Sequence, residues 1–410
     1  MARTSIHRGS AARATLVLSI LVAGCGGAVG GPPASASVTP RSVAPTVSPS
    51  LGAPPSPATA PSDIVSTTPT LTLTRTSVPI GSARPLTDYV VGRTLAAPGM
   101  GTTVFADGAV WAVDRKDGGF TGDVPNGDIY RIDPVTGKTT GTVEHARGGF
   151  PTVGLGAIWL INAEFGETVT RVDLKTLKAD RFRTSTTEDP APEAIVVAHG
   201  NVWVGNNHDG TVAVVDPATL TVTRTIRLAE PGGFGVRGKA ATDGTSVWFG
   251  ISRTGEIVRI DATTGAEVSR IRLPQVPHTQ LPDGMALTDA SVPEQLVVVG
   301  DRLYASTVNH LYAIDVSKAG TERIVADLAV SDPSATVITA GDGGDLWALV
   351  RGPDRLLRID AATANLLGAL PVDLHDSGPT DQVSGAADMT AGAGSVWIRI
   401  PDSVIEVQPK

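Results

Sequence analysis

The stretch EAIVVAHGNVWVGNNHDGTVAVVDPATLTVTRTIRL, residues 193–228, contains four short runs of β-branched and apolar residues. The turn residues HG follow the first run, NNHDG follows the second and DPATL follows the third. Short apolar runs broken by Gly, Asn, Asp and Pro are typical of antiparallel strands joined by hairpins. The stretch therefore predicts one four-stranded antiparallel unit.

The centre of this unit recurs along the chain. An aromatic residue inside a short apolar run appears seven times, at intervals of 43 to 56 residues. The seven positions are Trp111, Trp159, Trp203, Trp248, Tyr304, Trp347 and Trp397. Four strands in forty-odd residues is the period of a β-propeller blade. The sequence therefore predicts an all-β fold, a seven-bladed β-propeller, with each aromatic side chain wedged between neighbouring blades.

A second signature follows each aromatic residue except the last. It places an aspartate at the start of a tight turn, as in RIDPVTG at Asp133 and RIDATTG at Asp261. An aspartate at this position accepts hydrogen bonds from backbone N–H groups of the turn. We therefore interpret the repeated aspartates as turn residues rather than as catalytic acids.

The two ends of the repeat region predict how the ring closes. The last unit stops after its third strand, at Val407, whereas residues 88–97 (DYVVGRTLAA) resemble a fourth strand without a unit. Pairing these segments would complete the seventh blade and remove two exposed strand edges. The predicted propeller domain spans residues 86–410.

Residues 1–24 are predicted to be a signal peptide. Three arginines precede the ten-residue apolar run ATLVLSILVA, which is too short to span a bilayer. The run ends in VAGC, which resembles the lipobox of bacterial lipoproteins, and Cys25 is the only cysteine in the 410 residues. The resemblance implies a lipid on Cys25, and hence an exported protein anchored to the outer side of the cell membrane.

Residues 25–85 are predicted to be a disordered linker. They are rich in Pro, Ala, Ser and Thr, and such a segment buries too little apolar surface to fold.

The chain carries a net charge of −8, and because the leader and linker are basic, the domain itself carries −13. That charge and the lack of a basic stripe argue against nucleic-acid binding. We expect a monomer.

The repeat G-x-V-W-V…R-I-D-P-x-T-G resembles the YVTN-type (surface-layer, YncE-like) propellers and, more loosely, the virginiamycin B lyase (streptogramin lyase) family. The resemblance covers essentially residues 86–410. It is specific for the fold but says little about the function, because such propellers are mostly binding or scaffold domains. The lyase family implies a magnesium-assisted elimination by a histidine and a glutamate above the pore. No matching pair can be placed here on equivalent strands.

Long irregular loops are predicted on one face, called the top, where second strands end and new blades begin. Binding residues concentrate on such loops. Five histidines map there, and four of them are candidate ligand-binding residues: His208, His278, His310 and His375.

Three carboxylates, Glu193, Glu294 and Asp388, are predicted near the inner ends of first strands. Oxygen ligands converging on the channel axis would suit calcium, as in lactonase-type propellers. The interpretation we favour is that these are solvated acids beside Arg237 or Lys239, with no cofactor.

The sequence thus favours a binding module for a protein, peptide or cell-wall component. The alternative is a lyase or hydrolase with calcium or magnesium in the channel.

Overall fold

The computed structural model describes residues 83–99, 101–114, 127–146, 148–162, 168–187, 189–232, 235–274, 292–307, 310–329, 336–350, 354–374 and 388–410. In these residues the regular secondary structure is entirely β-strand. The described residues contain no helix long and apolar enough to cross a membrane. Cys25, the predicted signal peptide and nearly all of the predicted linker lie outside the described residues.

The described strands form five four-stranded sheets and one eight-stranded sheet. A parallel bridge between Lys239 and Gln295 divides the large sheet into two antiparallel halves, so the described strands form seven four-stranded groups, which we call blades 1 to 7. Strand β1 (Tyr89–Ala96) precedes blade 1. Blade 1 contains β2 (Gly101–Ala106), β3 (Ala109–Asp114), β4 (Ile129–Ile132) and β5 (Thr139–Val143). Blade 2 contains β6 (Gly149–Gly154), β7 (Ala157–Asn162), β8 (Thr168–Asp173) and β9 (Ala179–Arg183). Blade 3 contains β10 (Pro192–Ala198), β11 (Asn201–Asn206), β12 (Thr211–Asp216) and β13 (Thr221–Arg227).

The remaining blades repeat this order. Blade 4 contains β14 (Val236–Thr242), β15 (Ser246–Ile251), β16 (Glu256–Asp261) and β17 (Glu267–Arg272). Blade 5 contains β18 (Gln295–Val299), β19 (Arg302–Ser306), β20 (His310–Asp315) and β21 (Arg323–Ala329). Blade 6 contains β22 (Thr336–Ala340), β23 (Asp345–Val350), β24 (Arg355–Asp360) and β25 (Asn365–Pro371). Blade 7 contains β26 (Asp388–Gly392), β27 (Ser395–Ile400) and β28 (Ser403–Pro409), and β1 is its fourth strand.

The blades are arranged in a closed ring. Their first strands contact one another in the cyclic order β2, β6, β10, β14, β18, β22, β26 and back to β2. These inner strands therefore surround a central channel, and the propeller fold predicted from the repeat is confirmed. Strand β1 pairs antiparallel with β28, as the orphan segment at residues 88–97 predicted.

The aromatic residues are buried as predicted. Trp111, Trp159, Trp203 and Trp397 each donate an indole hydrogen bond to the last residue of the preceding inner strand, over 3.0–3.2 Å. Tyr304, which replaces tryptophan in blade 5, donates its hydroxyl to the Ala361 carbonyl of blade 6. Burial raises the pKa of Tyr304 to about 12. These side chains therefore fasten a hairpin or join two blades.

The repeated aspartates hold the turns between third and fourth strands. Asp216, for example, accepts the N–H groups of Ala218 and Thr219 over 2.8 and 2.9 Å. These hydrogen bonds favour the ionised carboxylate and lower the pKa of Asp216. The pKa is lowered at the other five turns as well, at Asp133, Asp173, Asp261, Asp315 and Asp360. Their predicted role in the turns is confirmed.

The segment just before β1 runs along the outer edge of blade 6. Leu86 donates its N–H to the Ala369 carbonyl, and Ala369 donates its N–H to the Arg84 carbonyl. A Cβ atom at Gly368 would lie 2.9 Å from the Arg84 oxygen, so this close approach requires a glycine. The chain therefore covers the edge of blade 6 before it completes blade 7.

Candidate functional site

The candidate site lies at the top end of the channel, where the inner strands begin. Glu193 is the second residue of β10, Glu294 immediately precedes β18, and Asp388 is the first residue of β26. The sequence therefore placed all three carboxylates at the correct ends of inner strands. Their neighbours decide what each one can do.

Both carboxylate oxygens of Asp388 contact groups in other blades. One carboxylate oxygen lies 2.7 Å from the ammonium of Lys239, and the other accepts the N–H of Thr103 in blade 1 over 2.9 Å. The Asp388 side chain is only 6% exposed. Lys239 belongs to blade 4 and Asp388 to blade 7, three places away in the ring, so this ion pair crosses the channel.

A bulge in β14 brings Lys239 to this position. Arg237 pairs with Gly250 and Ala241 pairs with Trp248, so three residues on β14 face one residue on β15. Gly238 lies in this bulge with φ of +82°, and a Cβ there would lie 2.6 Å from the Glu294 carbonyl oxygen. The N–H of Lys239 donates to that same carbonyl in blade 5. The bulge therefore joins blades 4 and 5 and directs Lys239 away from its own sheet.

Glu193 lies in a mixed polar cluster. Asn207 donates its side-chain N–H to Glu193 Oε1 over 3.1 Å, and Arg237 Nε lies 3.4 Å from Glu193 Oε2. Asn207 is only 6% exposed, and its Oδ1 atom is buried without a hydrogen-bond partner. About a quarter of the Glu193 side chain and a third of the Arg237 side chain remain exposed, at 28% and 33%. Solvent therefore reaches this cluster, and the Asn207 side-chain oxygen in it has no hydrogen-bond partner.

Glu294 completes the group that we call the mouth site: Glu193, Asn207, Arg237 and Glu294. Its carboxylate forms no hydrogen bond or ion pair with any described residue, and the residue is mostly buried. Desolvation raises the pKa of Glu294, the nearby Arg237 charge opposes this effect, and the Glu193 charge adds to it. The mouth site thus holds two carboxylates and one guanidinium.

The described residues contain no group of three or more His, Cys, Asp or Glu side chains arranged to hold a metal ion. Glu193, Glu294 and Asp388 are therefore not gathered into a shared ligand set there. Asp388 is paired with Lys239, and Arg237 lies against Glu193. A cationic side chain beside a carboxylate competes directly with a metal ion for its oxygens.

The inner strands on one side of the mouth are irregular. Strands β6, β10 and β14 each show a register shift near the top, at Phe150–Pro151, Glu193 and residues 238–240. Phe150 has φ of +50° and is 40% exposed, which is unusual for a bulky residue. Bulges re-aim side chains beside binding and active sites.

The candidate histidines have different surroundings. His208 lies on the top face with its Nδ1 atom 2.9 Å from Asp189, and its side chain is 44% exposed. His310 was expected in a loop, but it is the first residue of β20 and only 4% exposed. Its Nδ1 atom lies 2.7 Å from Asp327, and its ring stacks on Tyr312. His310 therefore packs inside blade 5. His278 and His375 lie outside the described residues.

The sequence did not reveal two structural features of the top face. The side-chain amide of Asn207 supports Glu193, and the bulge in β14 carries Lys239 to Asp388. The only sequence signal for the first is the polar run NNHDG after β11. For the bulge in β14, the sequence signal is the glycine within the strand VRGKAAT, because a glycine inside a strand often marks a bulge.

Comparison with known proteins supports the fold. The chain matches no family model and no curated protein. It is similar to selenomethionine-substituted virginiamycin B lyase from Staphylococcus aureus, with a TM-score of 0.60 and 17% identity, covering 78% of this chain and all of that one. A streptogramin B lyase structure gives the same TM-score and identity, with 98% of its chain covered. A catalytically inactive variant of the Staphylococcus aureus lyase with quinupristin gives a TM-score of 0.58. At this identity the likeness establishes a shared fold.

Proposed function

We propose that this protein is a lipid-anchored, extracytoplasmic binding module that holds a peptide, from a protein or from the cell wall, at the top of its propeller. The observation that carries this proposal is the mouth site. Two carboxylates and a guanidinium lie at the channel entrance, and an amide oxygen without a hydrogen-bond partner is buried beside them. Polar groups at an open end of a rigid ring are suited to holding a polar ligand.

The channel supports binding at its mouth rather than passage through it. The Lys239–Asp388 ion pair joins opposite inner strands, and both charges are mostly buried, at 22% and 6% exposed. A ligand that entered from the top would therefore meet this crossing pair. The mouth site lies at the same end and keeps solvent access.

The proposed anchor rests on the sequence. The apolar run before VAGC and the single cysteine predict lipidation of Cys25, and the linker of residues 25–85 would act as a spacer. Replacing Cys25 by serine tests this, because unchanged membrane association would refute the anchor.

The peptide-binding proposal is tested with the full chain purified in detergent. We expect it to be retained on isolated peptidoglycan or on an immobilised peptide panel, and we expect the double variant Glu193→Gln/Arg237→Gln to lose at least about tenfold in affinity. Glu230→Gln is the matched control, because Glu230 is exposed on the same face and outside the mouth site. Equal binding by both variants would refute a role of the mouth.

A metal-dependent lyase or lactonase is the second candidate function, favoured by the structural likeness to streptogramin lyases. Within the described residues no side-chain group is arranged for a metal ion. Metal analysis of the purified protein, followed by thermal unfolding with calcium or magnesium, separates the candidates. A stoichiometric metal that raises the unfolding temperature would favour the enzyme.

A further inference from the structure

We propose that the mouth site binds a protonated primary amine on an aliphatic stem, the group at the end of a lysine-type side chain. This inference rests on the proposed function and names the ligand chemistry of the same site. It follows from three properties of the site: its acceptors, its charge and its apolar side.

The mouth site offers hydrogen-bond acceptors beside its one guanidinium. Asn207 Oδ1 is buried without a partner, while the amide nitrogen of the same side chain is fixed on Glu193 Oε1. The Glu294 carboxylate has no hydrogen bond to a described residue, and each Glu193 oxygen has one neighbour although a carboxylate oxygen can accept two hydrogen bonds. An ammonium group carries three donors and no acceptor, so its bonding groups are complementary to acceptors of this kind.

The charge of the site favours a single positive charge. Glu193 and Glu294 carry two negative charges against one on Arg237, whereas Lys239 and Asp388 neutralise each other. Desolvation by burial is the main cause of the raised pKa of Glu294, and the Glu193 charge adds to it although the Arg237 charge opposes it. A monocation would neutralise the site, whereas an anion would face two carboxylates.

The neighbouring inner strand supplies an apolar surface. β6 contacts β10, and its bulge carries Phe150 at a position that corresponds to Glu193. Phe150 is 40% exposed, and an aromatic ring on the adjacent strand can pack against methylene groups and attract a cation. This favours an alkylammonium group over a free metal ion, which would bind six to eight oxygens as calcium does.

The test uses Nα-acetyl-lysine methylamide as the probe and its Nε-acetylated form as the neutral analogue. Binding to the full chain in detergent is measured by calorimetry and by saturation-transfer NMR at low ionic strength, where charge pairing is least screened. We expect the free amine to bind at least tenfold more tightly than the acetylated form. We also expect Glu294→Gln to weaken binding of the free amine at least tenfold, while Glu230→Gln leaves it unchanged.

Circular dichroism and thermal unfolding establish that the Glu294→Gln variant is folded. Equal affinity for the two lysine probes, or an unaltered affinity in Glu294→Gln, would overturn the inference. The peptide panel separates this failure from failure of the proposed function. Peptides without a free amine that still bind, and are lost in Glu193→Gln/Arg237→Gln, would keep the binding module and reject the amine. No peptide binding at all would reject both.

Discussion

Replacing Arg399 by methionine removes a buried guanidinium from the point where the ring closes. Arg399 lies near the top of β27 and is fully buried. Its two terminal nitrogens donate to five carbonyl oxygens over 2.7–3.0 Å: those of Ala97, Pro98, Gly99, Ile400 and Ser403. Three of these carbonyls belong to the connection between β1 and blade 1. Arg399 therefore holds the N-terminal strand against the C-terminal hairpin.

Two opposing terms set the size of the effect. Each hydrogen bond from a charged donor contributes about 1.5–3 kcal/mol. Burial opposes the charge, and desolvation lowers the pKa of Arg399 to about 10, although the nearby Asp114 and Asp402 charges favour ionisation. A depression of this size corresponds to a cost of roughly 3 kcal/mol. Methionine would also leave buried carbonyls without donors, so we expect the variant to lose about 3–5 kcal/mol of unfolding free energy.

Urea unfolding followed by tryptophan fluorescence measures this loss, because the chain has six tryptophans and five of them are among the largest fully buried side chains. Arg323→Met is the matched control. Arg323 is 63% exposed and lies 3.7 Å from Asp315, and such surface pairs contribute about 0–1 kcal/mol. A loss below about 1 kcal/mol in Arg399→Met, or equal losses in both variants, would refute the closure role of Arg399.

Three further perturbations test other parts of the ring. Lys239→Met leaves the buried Asp388 carboxylate without its counter-charge and should cost about 3 kcal/mol of unfolding free energy, part of which Asp388→Asn should restore in the double variant. Removal of residues 83–97 exposes the edge of β28 and should lower the unfolding temperature by about 10 °C or more, so an unchanged temperature would contradict closure by β1. Glu294→Gln should stabilise the protein at pH 7, because a raised folded-state pKa lowers stability as the pH rises above the usual glutamate range. The gain should disappear near pH 4, and a gain that is independent of pH would exclude this cause.

The fold could be predicted from the sequence because its strongest determinants are local and repeated. Each aromatic residue sits in a short apolar strand, and each aspartate holds its own turn within three residues, as Asp216 does. Even the closing strand could be found, because residues 88–97 have strand character but no neighbouring strands in sequence. None of these features requires knowledge of a distant partner.

The contacts of the candidate site could be predicted only in part, because they join residues far apart in sequence. Glu193, Glu294 and Asp388 could be placed at the tops of inner strands by counting strands. The Lys239–Asp388 pair spans 149 residues and depends on a bulge that periodicity does not reveal. His310 was misplaced for a related reason: its polar neighbours resemble a loop, whereas Asp327 on the adjacent strand provides the partner that allows its burial.

The inner strands with irregular pairing lie beside the mouth site, and this location bears on function. Inner strands β2, β18, β22 and β26 pair with their second strands without a register shift, whereas β6, β10 and β14 are all bulged near the top. A bulge interrupts the ladder and weakens the blade locally, and Phe150 adds an unfavourable backbone conformation. Stability alone would favour seven regular strands. Three consecutive bulges around Glu193 are therefore better explained by the need to direct side chains into the channel mouth, since local departures from ideal structure concentrate at functional sites.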